Sequence, residues 1–585
     1  MNKMMVCCKA ENKKEEYIMG YREEYAKWLN SGVLNEEETA ELLAIKGNDA
    51  EIEDRFYAPL QFGTAGLRGV LGMGINRMNV YTVRQATQGL AALICGMGKK
   101  VMERGVAVCM DCRIGSDIFA REAACVLAAN GISVYLFESL RPTPELSFAV
   151  RAMECIAGIN ITASHNPKEY NGYKAYWEDG AQLPPKEADV VLAEIEKTDI
   201  FTGVKTMDYD EAVKSGLITV IGEEVDEAFI VHALSCAINR EAPRAVADDF
   251  KIVYTPFHGT GYKLVPEILK RIGLRNVISV PEQSTPDGNF PTVKSPNPEN
   301  REGFALAIEL AKRENVDLII GTDPDADRVG VVVRNGEGEY VTITGNQMGV
   351  LLLDYIIGAK KRAGTLPENA YAVKTIVTTE MARRVCEANG VKLHETFTGF
   401  KFIAERIEQE GSEGFLLGYE ESYGYLMGDF CRDKDAVTAT MMIAEMAAYY
   451  RTEGKSLYEA MMALYEKYGA YAERTVNVVM PGVSGLAKMR ELMENLRNNP
   501  PCELAGGKVK CVRDYLTGKT NTGETLPLSG SNVLYFEMED GTSFIIRPSG
   551  TEPKIKVYIL ASGKTLDEAN KTADSYASAA NDIAK

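Results

Sequence analysis

Five short apolar runs each end at a polar loop whose residue types could carry out chemistry. The runs and the residues that follow them are Val106 to Cys109 before Asp111, Ile156 to Ile161 before Ser164, Leu318 to Ile320 before Asp323, Phe415 to Leu417 before Glu420, and Phe544 to Ile546 before Arg547. In α/β proteins ligands bind at the carboxyl ends of strands. These five loops are therefore the candidates for a functional site.

The loop from Ile161 to Pro167 places Ser164 between a small residue and a His-Asn-Pro turn. Such a turn exposes the hydroxyl, which suits a nucleophile or a phosphate carrier; the alternative is a serine that only caps the turn. In an extended segment the side chain of His165 would point away from Ser164, so a serine-hydrolase pair is not favoured. Lys174 is a better candidate for a neighbouring cation.

Three carboxylates stand at alternate positions in Asp323, Asp325 and Asp327. Carboxylates this close repel one another unless a cation neutralises them, and ligation by oxygen alone suits Mg²⁺. A magnesium site is therefore favoured over a solvated acidic loop. An EF-hand is excluded because Arg328 and Arg334 stand where its loop needs Gly and Glu.

The segment from Arg547 through Ser549 and Gly550 to Thr551 combines a guanidinium, two hydroxyls and a glycine. These groups can surround a phosphate with charge-assisted hydrogen bonds, although a turn with a structural salt bridge is an equal alternative.

A second polar set, Glu420, Glu421 and Ser422, lies between glycines and is followed by Lys434. Paired acids and a hydroxyl can bind vicinal sugar hydroxyls. Without the other loops, an acidic surface turn would be the simpler interpretation.

Strands and helices that alternate along the chain must position these loops. Short Val/Ile-rich runs alternate with longer amphipathic ones, which is typical of α/β units. The spacing of Tyr21, Tyr25, Trp28 and Leu29 predicts an N-terminal helix, and the segment 566–583 predicts a closing one.

Composition limits the function classes. The 585 residues predict several domains, and a net charge of -18 argues against a nucleic-acid or anionic-membrane partner. The chain shows neither a signal-peptide pattern nor an apolar run of eighteen residues, so we expect a cytoplasmic protein. With four histidines and twelve scattered cysteines, zinc or redox chemistry is not favoured.

Together, and in this order, the loops resemble the motifs of the α-D-phosphohexomutase superfamily. In length the chain most resembles the long phosphoglucomutase/phosphopentomutase branch of that superfamily. The matching segments are Gly63 to Gly69, Thr162 to Pro167, Asp323 to Arg328, Glu420 to Ser422, and Arg547 to Thr551. The resemblance implies an α/β fold of three related α/β domains with mixed sheets and a smaller α+β C-terminal domain around a central cleft. The expected domains are 1–210 with the serine loop, 211–337 with the metal loop, 338–471 with the sugar loop, and 472–585 with the phosphate loop.

The resemblance also implies roles for single residues. Ser164 would rest as a phosphoserine, with one Mg²⁺ held by Asp323, Asp325, Asp327 and the Ser164 phosphoryl group. The remaining expected site residues are Arg68, with Lys174 or Lys434 as the base, and, for the substrate, His165, Arg328, Glu420, Ser422, Arg547, Ser549, Gly550 and Thr551.

The activity implied is the interconversion of glucose 1-phosphate and glucose 6-phosphate through glucose 1,6-bisphosphate, which would also serve as activator. Alternatives within the family are a phosphopentomutase, a phosphomannomutase and a sugar 1,6-bisphosphate synthase. A non-catalytic sugar-phosphate sensor is disfavoured because the serine and all three aspartates are present. We expect a monomer or dimer.

Overall fold

The computed structural model describes residues 20–63, 66–480, 483–504, 506–549 and 554–580. These residues form two compact units. Unit 1 contains residues up to 236 together with 251–329 and 429–441, and unit 2 contains 237–250, 330–428 and the chain from 442 onward.

Unit 1 begins with helices that enclose a six-stranded sheet. The strands are β1 (Leu67–Val70), β2 (Val106–Met110), β3 (Val134–Phe137), β4 (Ala157–Ile161), β5 (Tyr170–Trp177) and β6 (Ile218–Ile221). The helices are α1 (20–29), α2 (Glu36–Ala44), α3 (Asp49–Phe56), α4 (Val80–Gly96), α5 (Lys99–Arg104), α6 (Ser116–Ala129), α7 (Thr143–Ala152), α8 (Pro185–Lys197) and α9 (Tyr209–Lys214).

The order of this first sheet is β1-β5-β4-β2-β3-β6. Strands β2, β3, β4 and β6 run parallel, whereas β5 pairs antiparallel with both β4 and β1. The parallel strand β2 is an unbroken apolar run buried over its first four residues, as expected of a strand covered on both faces. Because β6 pairs with β3, the first sheet extends beyond residue 210 to Ile221.

Residues close in sequence explain where helix α4 begins. Asn79 caps α4 and forms a capping box with Thr82, which satisfies two backbone N–H groups at the helix start. The predicted N-terminal helix is present as α1, and its Tyr21, Tyr25 and Trp28 are buried in a cluster with Phe56 of α3.

The next segment adds a second set of strands. Its elements are α10 (Glu223–Ser235), α11 (Glu241–Ala245), β7 (Lys251–Thr255), α12 (Gly261–Arg271), β8 (Asn276–Ser279), α13 (Ala305–Glu314), β9 (Leu318–Thr322), β10 (Val329–Arg334) and β11 (Tyr340–Ile343), with short 3₁₀ helices at Pro281–Gln283 and Arg301–Phe304. In unit 1, β7 lies between β8 and β9, and all three are parallel. In unit 2, β10 and β11 form an antiparallel pair.

A third α/β sheet lies in unit 2. Its elements, with the helices around them, are α14 (Gly345–Ala363), β12 (Tyr371–Thr375), α15 (Met381–Asn389), β13 (Lys392–Thr396), α16 (Phe400–Glu410), β14 (Phe415–Tyr419), β15 (Tyr425–Leu426), α17 (Ala436–Thr452) and α18 (Leu457–Tyr468). The order is β13-β12-β14-β15, with only β15 antiparallel.

The C-terminal part of unit 2 has a different topology. Its elements are β16 (Ala470–Val479), α19 (Val483–Asn498), β17 (Glu503–Leu504), β18 (Gly507–Asp514), β19 (Lys519–Thr520), β20 (Leu534–Met538), β21 (Ser543–Pro548), β22 (Lys554–Gly563) and α20 (Leu566–Ala580). The strands form an antiparallel sheet in the order β16-β22-β21-β20-β18-β17, with β19 beside β18. The predicted closing helix is present as α20; the last predicted residues, 581–583, lie outside the described chain.

The predicted fold class is thus confirmed: three α/β sheets precede a C-terminal domain of another topology. Among the described residues, no helix combines the length and apolar character needed to cross a membrane.

Candidate active site

Ser164 lies in the loop between the antiparallel strands β4 and β5, and its side chain is buried. Its φ angle of 51° is in the left-handed region, which non-glycine residues rarely adopt. The hydroxyl Oγ donates to Asp323 Oδ2 at 2.8 Å. The sequence predicted an exposed hydroxyl; the structure instead holds it against the aspartate loop.

The three aspartates follow β9 and converge as predicted. One carboxylate oxygen from each of Asp323, Asp325 and Asp327 lies within 4.8 Å of the others. A left-handed φ of 49° at Ala326 turns the chain here, so that Asp323 Oδ1 accepts from the backbone N–H groups of Asp327 and Arg328 at 3.1 and 2.9 Å.

Two buried lysines border this carboxylate cluster. Lys174 Nζ on β5 lies 2.6 Å from Asp325 Oδ2 and 3.1 Å from Asp327 Oδ2. Lys434 Nζ lies 3.3 Å from Asp327 Oδ2 and 2.9 Å from Asp433 Oδ1. Both candidates for the base therefore contact the same aspartate.

The neighbouring charges shift the pKa of Asp323 and the pKa of Asp327 in opposite directions. Burial raises the pKa of Asp323 well above its usual value, and repulsion from Asp327 and Asp325 adds to the rise. Burial would also raise the pKa of Asp327, but the positive charges of Lys174, Lys434 and Arg328 outweigh it and hold that pKa below its usual value. Burial opposes the charge on Lys174, yet Asp325 and Asp327 keep its pKa raised.

The donor set fits a divalent cation. Asp325 Oδ1 and Asp327 Oδ1 are buried without a hydrogen-bond partner, and a buried carboxylate oxygen without a partner is costly. Carboxylate oxygens are the donors that Mg²⁺ binds in proteins. The sequence prediction of a metal site thus agrees with the geometry.

His165 is placed differently from the sequence prediction. Its Nδ1 lies 3.2 Å from Ser164 Oγ, because the left-handed conformation of Ser164 breaks the extended run that the prediction assumed. The expectation that His165 points away was wrong. The hydroxyl proton of Ser164 is donated to Asp323, so His165 cannot accept it in this state, and a serine-hydrolase pair is still not favoured.

The predicted arginines lie beside the serine loop. Arg68 on β1 has an exposed side chain, and its Nη1 donates to Asn166 Oδ1 at 3.1 Å. The strand can approach this closely because Gly66 precedes it with a φ of 87°; a Cβ there would overlap the carbonyl of Tyr173. Arg328 Nη1 binds Glu299 at 3.0 Å. Thr64 and Ala65 of the same motif lie outside the described residues.

Sequence reasoning missed several residues that hold these groups. Thr143 donates to Asp325 Oδ2 at 2.7 Å and accepts from Asn160 at 2.7 Å, and the Tyr176 hydroxyl donates to Asp433 at 2.9 Å. Their positions at strand and helix ends were the available signal, but the aspartates that Thr143 and Tyr176 bind are more than 150 residues away along the chain.

The predicted sugar and phosphate residues lie in unit 2. Glu420 is buried after β14, and its Oε1 accepts from the Gly399 N–H at 2.9 Å. Ser422 is half-buried. Arg547 was predicted to lie in the loop after Ile546, but β21 extends to Pro548 and includes it, opposite Lys556 of β22.

Tyr558 of β22 interacts electrostatically with both Glu421, beside the predicted sugar residues, and Arg547 of the predicted phosphate loop. Burial raises its pKa, the charge of Glu421 raises it further, and Arg547 acts in the opposite sense. Ser549 is half-buried, and its N–H donates to the Lys554 carbonyl at 2.8 Å. Gly550 and Thr551 lie outside the described residues.

Comparison with known proteins gives the same result over most of the chain. Residues 59–200, 227–336 and 344–468 match the family descriptions of phosphoglucomutase/phosphomannomutase α/β/α domains I, II and III. A phosphoglucomutase of Staphylococcus saprophyticus is 37% identical over 525 residues, which covers 88% of this chain and 92% of the relative. One from Staphylococcus haemolyticus is 38% identical over 532 residues, covering 87% and 91%.

Solved structures show the same fold at lower identity. The phosphoglucomutase pp63/parafusin of Paramecium superposes with a TM-score of 0.67 at 18% identity, covering 90% of this chain and 96% of the other. A phosphoglucomutase/phosphomannomutase family protein of Burkholderia thailandensis superposes with a TM-score of 0.63 at 18% identity, covering 89% and 97%.

Proposed function

The chain belongs to the phosphoglucomutase/phosphomannomutase family, and on that premise we propose that it moves a phosphoryl group between the C1 and C6 oxygens of glucose through Ser164. The family makes it an intramolecular phosphotransferase. The observation that carries the proposal is the position of the Ser164 hydroxyl, 2.8 Å from an aspartate of a buried triad that two lysines border.

In each transfer one phosphorus–oxygen bond breaks and another forms. The phosphorus–Oγ bond of phosphoserine 164 breaks while the phosphorus bonds to the sugar hydroxyl oxygen. The hydroxyl proton leaves to a base on the protein, and Ser164 Oγ recovers a proton. The resulting glucose 1,6-bisphosphate then turns over and returns its other phosphoryl group to Ser164 by the reverse exchange.

Asp323, Asp325 and Asp327 would hold one Mg²⁺ beside the phosphoserine. When bound, the ion neutralises negative charge on the phosphoryl group, which favours its transfer. The protein contributes alignment: Thr143 and Lys174 hold Asp325, and backbone N–H groups hold Asp323. Arg68 and Arg328 supply positive charge at the edge of the serine loop.

Lys174 and Lys434 are the two candidates for the base. Both are buried and both contact Asp327, so each is close enough to the triad to exchange a proton with a hydroxyl that attacks there. Asp325 and Asp327 raise the pKa of Lys174, and the positive charge of a cation on these carboxylates would oppose that rise. Two opposite sugar orientations need proton transfer in two half-reactions, and we propose that these lysines share that task.

The remaining predicted residues are assigned to the substrate. We assign Glu420 and Ser422 to sugar hydroxyls, His165 to the substrate near Ser164, and Arg547, Ser549, Gly550 and Thr551 to the distal phosphate. A guanidinium and hydroxyls bind phosphate through charge-assisted hydrogen bonds without regard to which sugar carbon carries it, which suits a ligand that must bind both ways round.

Intact mass spectrometry tests the carrier role. Wild-type protein treated with glucose 1,6-bisphosphate should gain one phosphate on each chain, and Ser164→Ala should gain none. Persistent absence of the heavier species in the wild type would overturn the carrier role of Ser164.

A substrate comparison tests the sugar. With catalytic bisphosphate and Mg²⁺ present, kcat/KM should be highest for glucose 1-phosphate among glucose, mannose and ribose 1-phosphates. The relatives named phosphoglucomutase support this choice. A ribose preference of about 100-fold, near 3 kcal/mol of discrimination, would make the protein a phosphopentomutase, and a mannose preference would make it a phosphomannomutase.

A further inference from the structure

We infer that Thr162 and Arg113 are positioning residues that hold the backbone of Ser164 from both sides and thereby aim its Oγ. The inference rests on the proposed function, since it concerns how the carrier serine is aligned. No motif considered in the sequence assigns either side chain a role.

The conformation of Ser164 requires such support. A non-glycine residue with a φ of 51° is strained, and strain of this kind persists only where surrounding contacts impose it. Contacts on both peptide groups of Ser164 are therefore expected, and the structure shows them.

Thr162 holds the amide side. Its Oγ1 accepts from the Ser164 N–H at 2.8 Å and donates its own proton to Asp111 Oδ2 at 2.6 Å. Asp111 is itself fixed, because its Oδ1 accepts from Ser116 Oγ at 3.0 Å and from the Arg113 N–H at 2.9 Å. The three hydrogen-bonded side chains are all buried: Asp111, Ser116 and Thr162.

Arg113 holds the carbonyl side. Its guanidinium is buried and donates to four backbone carbonyls of the serine loop, those of Ser164, Asn166, Pro167 and Tyr170. Its Nε lies 3.3 Å from Asp111 Oδ2. A planar group with five donors in a fixed arrangement suits this task, which an ammonium with three donors cannot reproduce.

The Asp111 carboxylate thus joins both supports. It contacts Thr162 on one side and Arg113 on the other, so both peptide groups of Ser164 are linked through these side chains to one buried carboxylate. Phosphoryl transfer depends on alignment of the attacking and leaving oxygens, and an error of about 1 Å can cost about 100-fold in rate.

The test uses near-isosteric substitutions. Thr162→Val removes the oxygen that accepts from Ser164, and Thr162→Ser keeps it. Thr87→Val makes the same change at a buried threonine of α4 whose hydroxyl donates to the Val83 carbonyl at 2.8 Å. For each full-length protein, kcat and KM for glucose 1-phosphate, the thermal midpoint, and the rate of phosphate gain from glucose 1,6-bisphosphate by intact mass are measured.

We expect Thr162→Val to lose about 10- to 100-fold in kcat and to slow phosphate gain in parallel, with KM within about threefold of the wild type. Thr162→Ser should recover most of the loss, and Thr87→Val should match the wild type in kcat. A purely structural role would lower the thermal midpoints of both valine variants without separating their kcat values, and that pattern would overturn the inference.

A second variant and the wild-type control separate failure of the positioning inference from failure of the proposed function. If Thr162→Val does not fold, Asp111→Asn replaces it, with a loss of kcat and of phosphate gain again expected and wild-type values contradicting the inference. If wild-type protein never gains phosphate while it turns over substrate, the proposed carrier function fails; if it gains phosphate and Thr162→Val gains it equally fast, only the positioning inference fails.

Discussion

Two buried lysines, one in each unit, each lie between a pair of carboxylates, but the balance of charge around them differs. In unit 1, Lys174 lies between Asp325 and Asp327. In unit 2, Lys374 at the end of β12 has no exposed side-chain surface and lies 2.7 Å from Glu380 and 2.9 Å from Glu395.

Charge balance distinguishes the two clusters. In unit 2, Arg383 also binds both glutamates, each at 2.9 Å, so two cations face two anions. The positive charge of Lys374 accordingly outweighs burial and lowers the pKa of both Glu380 and Glu395.

In unit 1 the anions are in excess. Four aspartates, those of the triad and Asp433, face three cations, Lys174, Lys434 and Arg328. Asp325 Oδ1 and Asp327 Oδ1 are buried and have no hydrogen-bond partner. We infer that the closed cluster, in which the charges balance, stabilises the fold, whereas the open cluster, in which anions exceed cations, is suited to bind a metal ion.

The largest expected effect comes from the open cluster. Asp325→Asn should lower kcat about 100-fold or more, because it removes a proposed metal ligand and one of the two anions that hold Lys174. The measurement is steady-state turnover of glucose 1-phosphate at saturating Mg²⁺. Turnover within about threefold of the wild type would show that the excess charge has no catalytic use.

The closed cluster should respond in stability instead. Lys374→Met leaves Glu380 and Glu395 without their shared cation and should cost about 3–5 kcal/mol of local stability, measured as faster hydrogen exchange of the β12 and β13 amides. Lys392→Met, at an exposed lysine of β13 paired with Glu410, is the matched control and should cost about 1 kcal/mol or less. Equal effects of the two substitutions would contradict a stabilising role for the closed cluster.

Asp435 is a third case, a buried carboxylate bound by neutral donors. It accepts from the N–H groups of Val437 and Thr438 and from the Thr438 hydroxyl. Burial raises its pKa to about 6 despite these bonds, so the folded state favours the protonated form.

The sign of the pH dependence follows from that raised pKa. Stability is unaffected by this group near pH 4 and falls as pH rises from about 4 to 6, when the buried carboxyl loses its proton. Asp435→Asn keeps a capping side chain and removes the charge, so its thermal midpoint should equal the wild type at pH 4 and exceed it by a few degrees at pH 8. A difference that is the same at both pH values would contradict this account.

The sequence predicted what is local and periodic. Strand ends located Ser164 and the aspartate triad, and apolar spacing located α1 and α20. The left-handed backbone of Ser164, and with it the position of His165, depends on Arg113 and Thr162, whose partners are fixed only when β2 and β4 pair. The Lys374 cluster likewise requires the register that sets Lys374 opposite Glu395 on β13. Contacts of this kind depend on tertiary structure, which residue spacing alone does not specify.

The most direct test of the open cluster is a titration of metal-free protein with Mn²⁺, followed by the electron paramagnetic resonance signal of the free ion. Mn²⁺ uses the same oxygen ligands as Mg²⁺. We predict one tightly bound ion per chain in the wild type and in Lys374→Met, and none in Asp325→Asn. Equal binding by wild type and Asp325→Asn, or no binding by either, would contradict the assignment of the triad as the metal site.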